Sequence, residues 1–252
     1  MMVKQFIKKY WLTLLVFTLS GAIGGFLITP SVIAGYPADI REQIYAEGVN
    51  DLVLSLATGY QYAIYGLVLG VPGIVLAKKI GLWNDKLTFK LKPIAFSVIV
   101  ALIGGVSMIA FDLLWFGKVN QPISDSYLVK PTLATIFGSV ILGGIVEEVM
   151  LRLFMMSLIA FLLTKIFKKC ENKEILFIIA NVISAILFSA GHLPATSLIL
   201  GLTPLTVFRC FLLNGGIGLM FGWLYRKHGL QYAIIAHAGC HVVSKLIWLL
   251  FI

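Results

Sequence analysis

The stretch ILGGIVEEVMLRLFMM, residues 141–156, places two adjacent glutamates and an arginine inside a segment otherwise apolar enough to cross a membrane. At about 100° per residue, an α-helix brings Glu148 and Arg152 onto one face as an i,i+4 ion pair and points Glu147 elsewhere. A charged side chain without a partner inside a bilayer costs at least about 2.5 kcal/mol. Glu147 therefore needs either contact with water or a chemical role.

The composition of the whole chain indicates a protein embedded in a membrane. Hydrophobic residues make up 60% of the 252 residues and charged residues only 12%, too little polar surface for a water-soluble domain. A bilayer crossing needs about 20 apolar residues. We predict one integral membrane domain over residues 1–252, an all-α polytopic bundle with about seven to eight transmembrane helices. The seven apolar segments lie at roughly 11–33, 54–77, 93–116, 132–164, 175–192, 204–225 and 231–251.

Two shorter segments add helices to this count. The acidic segment 38–51 is predicted as an interfacial helix, and LPATSLILGL after His192 is too short to cross alone. Counting both raises the number of helices to eight or nine. The first apolar segment, of about 19 residues, is longer than a signal-peptide core of 7–15, so we expect a retained span.

Basic residues set the expected orientation, because lysine and arginine near the ends of spans stay on the cytoplasmic side. This rule predicts a cytoplasmic N-terminus in a multi-pass protein of the cell membrane. The net charge of +9 is then mostly a topology signal facing membrane lipid, and nucleic-acid binding is not indicated. Fourteen of the 20 basic residues fall on the predicted inner side: Lys4, Lys8, Lys9, Lys78, Lys79, Lys86, Lys90, Lys92, Lys165, Lys168, Lys169, Lys173, Arg226 and Lys227.

Three of the four histidines lie within or at the ends of predicted spans. His192 closes the fifth span in ILFSAGHLP, and His237 and His241 stand four residues apart in AIIAHAGCHVV of the last span. A lone histidine on an apolar face is usually a core residue, but three of them with a twin-glutamate site predict one polar centre. By helical rise, Glu147 and His192 each lie about 26 Å from the tip of the hairpin that joins their spans, so they can face each other.

Together these motifs resemble the CAAX protease and bacteriocin-processing (CPBP, or Abi) family, and most closely its type II CAAX prenyl endopeptidases. EEVMLR fits EExxxR, FSAGH fits FxxxH, and HAGCH stands where HxxxN or a variant belongs. The resemblance covers about 132–245 as a catalytic core and implies an intramembrane endopeptidase on about eight helices.

Carried over residue by residue, the resemblance makes Glu147 the catalytic glutamate and Glu148 and Arg152 the rest of the first motif. It makes His192 and His237 the histidines of the second and third motifs. His241 is the departure, because the prenyl proteases have asparagine there.

Two chemical schemes fit these residues. Peptide hydrolysis needs an activated water, a donor for the oxyanion and a proton for the leaving amine. In the first scheme, Glu147 with His192 activates the water, and His237 and His241 donate to the oxyanion. In the second, His192, His237, His241 and Glu147 hold Zn²⁺, which lowers the pKa of a bound water. Histidine at 241 supplies a ligand that asparagine would not.

The predicted activity is cleavage of a membrane-associated peptide or protein, either a lipidated peptide such as a prenylated tail or a precursor of a bacteriocin or signalling peptide. One alternative is a proton-coupled transporter in which buried glutamate and histidine form a relay; another is a non-catalytic immunity or scaffold protein of the same fold. Transporters of this kind are often built from inverted repeats, and the sequence contains none that we detect. Asp112, near the outer end of the third span, is expected at the interface. The sequence does not indicate an oligomeric state.

Overall fold

The computed structural model describes residues 2–252, with side chains from residue 4 onward, and these residues form ten helices and no strand. The helices are α1 (Met2–Ala34), α2 (Ala38–Ala46), α3 (Asp51–Lys79), α4 (Leu91–Val119), α5 (Gln121–Asp125), α6 (Leu133–Ile166), α7 (Lys173–Gly191), α8 (Leu193–Leu200), α9 (Pro204–His228) and α10 (Leu230–Phe251). Within the described residues seven helices are long and apolar enough to cross a membrane, with α7 and α8 counted as one. The predicted all-α multi-pass bundle is confirmed. The two short segments form α2, which has no buried residue, and α8.

Helix α6 is the centre of the bundle. It packs against α1, α3, α7, α9 and α10. Val146, Val149, Leu153, Met156 and Ala160 along it are all fully buried. A membrane helix that faces only packed neighbours or lipid is apolar all round, which is why the polar residues of the opening stretch stand out in the sequence.

Glycines allow neighbouring helices to approach closely, as membrane packing favours. At Gly21 in α1, a Cβ atom would overlap the Tyr62 carbonyl of α3, and at Gly25 it would lie 2.9 Å from the Thr58 carbonyl oxygen. Gly218 of α9 faces Phe188 of α7 in the same way. Helix α1 therefore lies directly against α3, and α9 against α7.

Three of the long helices contain π-helical segments, which the sequence did not predict. They are Asp112–Phe116 in α4, Leu142–Glu147 and Val149–Met156 in α6, and Phe211–Gly215 in α9. A π-turn takes in an extra residue because its hydrogen bonds run from i to i+5, and such turns are frequent at functional sites. The expectation of a uniform 100° repeat through residues 141–156 was therefore wrong.

Asp112, which the sequence places near the outer end of the third span, is buried among neighbouring helices. Its side chain is 1% exposed and accepts two hydrogen bonds from Arg209, at 2.6 Å from Nε and 2.5 Å from Nη2. The Tyr127 hydroxyl donates to it at 2.7 Å. Burial raises the pKa of Tyr127, so this hydroxyl stays protonated. The cluster ties α4 to α9 and to the segment that follows α5.

Candidate functional site

Glu148 and Arg152 form the ion pair that their spacing predicts. Arg152 Nη1 lies 3.1 Å from Glu148 Oε1, and neither side chain is accessible to solvent beyond 1%. Arg152 Nη2 also donates to the Gly218 carbonyl at 2.9 Å, and the guanidinium lies over the Phe188 ring, 4.7 Å from its centroid. The buried arginine therefore joins α6 to α7 and α9.

His237 of α10 lies between the two glutamates. Its Nδ1 is 2.8 Å from Glu148 Oε1, and its Nε2 is 3.7 Å from Glu147 Oε2. Because a carboxylate only accepts hydrogen bonds, Nδ1 carries the proton shared with Glu148. A neutral imidazole then has a lone pair at Nε2. This lone pair would face the Glu147 carboxylate, and two hydrogen-bond acceptors repel each other. One further proton, on either Nε2 or Glu147, makes this contact favourable.

His192 lies at the C-terminal end of α7. Its Nδ1 is 2.8 Å from the Phe188 carbonyl oxygen. Since a carbonyl accepts and cannot donate, Nδ1 carries the proton and Nε2 is left with a lone pair. His192 is therefore held by the helix end with its second nitrogen free to accept a hydrogen bond.

His241 stacks on His237 one helical turn further along α10, with ring centroids 5.1 Å apart. Its Nδ1 is buried and has no hydrogen-bond partner among the described residues. Its Nε2 approaches Gly143 of α6 so closely that a Cβ atom at 143 would overlap it. The ring fits beside α6 only because residue 143 is glycine.

A cavity of about 60 Å³, called here the small cavity, joins these side chains. It has room for at least one water molecule, because roughly 10–15 Å³ of such space is enough for one. Glu148 and Arg152 do not line it and lie behind His237. Its polar lining consists of Glu147, His192, His237, His241 and Asn214, together with the Cys240 thiol.

A larger space of about 710 Å³, called here the apolar chamber, adjoins the small cavity. The two share Glu147, Phe188, His192 and His241 in their walls. Most of the chamber is lined by apolar side chains from α1, α3, α6, α7 and α8, and no lysine or arginine lines it. An elongated apolar molecule in the chamber would therefore meet the glutamate and the histidines at one wall.

The predicted zinc ligands are not arranged as a metal site. Among the described residues, no three histidine, cysteine, aspartate or glutamate side chains lie close enough together to hold a metal ion. The two ring nitrogens of His237 face Glu148 and Glu147, so ligation through this ring requires one of those contacts to break. In this arrangement the four residues do not fit Zn²⁺.

Asn214 was missed by the sequence analysis. It lies on the π-helical segment of α9 in the apolar run FLLNGG and reaches the small cavity. The signal that pointed to Glu147, a polar side chain in the middle of a span, also applies to Asn214. The search for catalytic acids, bases and ligands passed over it because an amide does not titrate.

Residues 129–243 match the family model described as Type II CAAX prenyl endopeptidase Rce1-like. The match covers all six residues named from the motifs, and the resemblance to this protease family is confirmed over this segment. No curated protein and no solved structure matched the chain.

Proposed function

Because residues 129–243 carry the Rce1-like type II CAAX endopeptidase segment, we propose that this protein is an intramembrane endopeptidase that cleaves an apolar, membrane-associated peptide. One observation carries the proposal. The small cavity, large enough for water, brings a partly exposed glutamate together with three histidines and shares part of its wall with the apolar chamber.

Glu147 is proposed as the base. Its side chain is 23% exposed, and it lines both spaces. A water in the small cavity gives one proton to the Glu147 carboxylate as its oxygen attacks the peptide carbonyl carbon. The lone pair on His192 Nε2 accepts a hydrogen bond from the other hydrogen and so orients the water. When the C–N bond breaks, Glu147 returns the proton to the leaving amine, which leaves a carboxylic acid and an amine.

His237 is proposed to stabilise the oxyanion. When the proton that lies between His237 and Glu147 is on Nε2, Glu147 is ionised and His237 is an imidazolium. Its Nε2–H then donates to the carbonyl oxygen as negative charge develops there. Glu148 holds the ring in place through Nδ1 at 2.8 Å. His241, stacked on the same ring, is a second candidate donor. These steps need no metal, and the proposed mechanism is metal-independent.

The lining of the apolar chamber supports the substrate class. With no lysine or arginine in its wall, the chamber offers no cation for a free C-terminal carboxylate. It suits an internal apolar segment, such as part of a bacteriocin or signalling-peptide precursor held in the membrane.

The test compares peptides released from membranes containing the wild-type protein, Glu147→Gln or the control Glu171→Gln, by mass spectrometry. Glutamine keeps the shape of Glu147 but removes the base, so peptides released by wild type and by the control are expected to vanish in Glu147→Gln. The variant should remain folded in the membrane. An unchanged peptide profile defeats the endopeptidase proposal, and Glu147-dependent proton uptake in its place would support a transporter.

A further inference from the structure

Asn214 has hydrogen-bonding capacity that its own helix uses only weakly. Its Nδ2 donates to the Cys210 carbonyl at 3.0 Å and to Cys210 Sγ at 3.6 Å. Because the carbonyl accepts only, the amide nitrogen and not the oxygen faces Cys210. A thiol sulfur is a weak acceptor, so the amide nitrogen, which has two hydrogens, can exchange its contact with Sγ for a stronger acceptor in the small cavity that the side chain lines.

The other polar groups that line the small cavity offer few hydrogen-bond donors to a substrate. Glu147 accepts, and His192 Nε2 accepts because its proton is on Nδ1. His237 Nε2 faces the Glu147 carboxylate at 3.7 Å, so a hydrogen on this nitrogen is directed to Glu147. The Cys240 thiol is directed to the Val100 carbonyl at 3.7 Å. Among the residues that line the cavity, only His241 and Asn214 therefore bring an N–H group that is free or weakly held, and the amide of Asn214 keeps its hydrogens in every protonation state of the site.

We propose that Asn214 is a further catalytic residue whose Nδ2–H, held otherwise only by the weak contact with Cys210 Sγ, donates to the oxyanion formed during peptide hydrolysis. The proposal rests on the endopeptidase function proposed above. Asn214 reaches the small cavity from α9 and His237 and His241 reach it from α10, so the oxyanion would receive hydrogen bonds from two helices. The π-turn Phe211–Gly215 is the local backbone feature that presents Asn214 to the cavity.

The test separates this role from a structural one. Asn214→Ser keeps a hydroxyl that can bond to the Cys210 carbonyl, since serine commonly bonds back to residue i−4, but it is too short to reach an oxyanion. Asn214→Leu removes both contacts. Asn181→Leu is the matched control, because Asn181 Nδ2 also donates to a helix carbonyl, that of Leu219 at 2.9 Å, and does not line the cavity.

The assay uses a synthetic peptide spanning a bond whose cleavage is lost in Glu147→Gln. Loss of one oxyanion donor costs about 10²–10³ in kcat. Asn214→Ser is expected to lose that much in kcat, with KM within about twofold and the thermal midpoint of wild type, while Asn181→Leu keeps its kcat. Wild-type kcat in Asn214→Ser, with Glu147→Gln inactive, overturns the role of Asn214 alone. If no cleavage depends on Glu147, both proposals fall together.

Discussion

The two adjacent glutamates differ at the residue scale in what surrounds them. Glu148 is fully buried between Arg152 and His237, whereas Glu147 lines the small cavity and keeps partial access to water. A buried charge that is paired on both sides holds its neighbours in position. A carboxylate beside a water-sized cavity can exchange a proton. The pair therefore divides into a positioning residue and a reacting residue.

Removing the charge of Glu148 should destabilise the protein. Glu148→Gln leaves Arg152 buried without a counter-charge, and breaking one side of a buried pair costs about 3–5 kcal/mol. We expect a lower thermal midpoint in detergent together with reduced activity. Glu174→Gln is the control, because its contacts with Arg226 and Lys227 are half exposed and should change the midpoint little. Large activity loss at an unchanged midpoint would contradict a positioning role.

His241 decides between the metal-independent and zinc schemes. In the first scheme asparagine can still donate, so His241→Asn should retain activity within about the 10²–10³ range that bounds loss of a whole oxyanion donor. In the zinc scheme the variant loses a ligand, so elemental analysis should show that the metal is lost and activity should collapse. Because the described side chains do not converge as metal ligands, we expect the first result. Stoichiometric zinc with chelator-reversible activity in wild type would refute it.

The π-helical segments of α6 matter most at the scale of elements. Spacing along the sequence was sufficient to predict the Glu148–Arg152 pair, which needs only one face of one helix. Spacing put Glu147 on a different face from Glu148, because the calculation assumed 3.6 residues per turn, so it did not predict that both glutamates would face His237. An added residue per turn leaves no mark in the apolar pattern, because residues 141–156 are apolar on every face apart from the two glutamates and the arginine. The sequence therefore carries no periodic signal for these turns.

Gly144 should be needed for the close packing of α6 against α10. A Cβ atom there would lie 2.7 Å from Ala238 Cβ and 3.0 Å from Ala238 Cα, so the helices must separate to admit it. Gly144→Ala is expected to cost about 1–3 kcal/mol, as overpacking does, and to lower cleavage by moving His237 and His241 away from Glu147.

Gly216→Ala is the matched control for this substitution, because a Cβ at Gly216 meets nothing within 4 Å. Thermal unfolding and peptide cleavage measured side by side test the contrast. Equal thermal stability and equal cleavage in the two variants would mean that the contact between α6 and α10 can accommodate an added methyl group.

At the scale of the whole molecule, hydropathy was sufficient to find seven spans, because bilayer thickness imposes one minimum length on every crossing. It was not sufficient to pair Asp112 with Arg209, since the partners lie on the third and sixth spans and no local spacing relates them. Asn214 and the histidines likewise meet only through the packing of separate helices. Contacts between residues that are far apart in the sequence cannot be predicted from local patterns in a single sequence.

The basic residues predict the orientation of the bundle, and reporters can test this prediction. We expect a reporter fused after Lys169 to be cytoplasmic and one fused after Ile252 to be external, because the positive charges of the loops stay inside. Alkaline phosphatase and a fluorescent protein, active on opposite sides, give complementary signals. Reversed signals at the two positions would overturn the proposed cytoplasmic N-terminus.

The pairing of Asp112 with Arg209 also imposes an order of events on each new chain. Glu148 pairs with Arg152, which lies four residues later in the same helix. Asp112 pairs with Arg209, which lies 97 residues later in the chain. At about 5–20 residues per second, translation leaves an interval of roughly 5–20 s between them. Throughout that interval the third span carries a carboxylate whose guanidinium has not yet been synthesised. Nascent chains therefore pass through a stage in which the third span must stay near water or an insertion partner, and the arrival of the sixth span ends it.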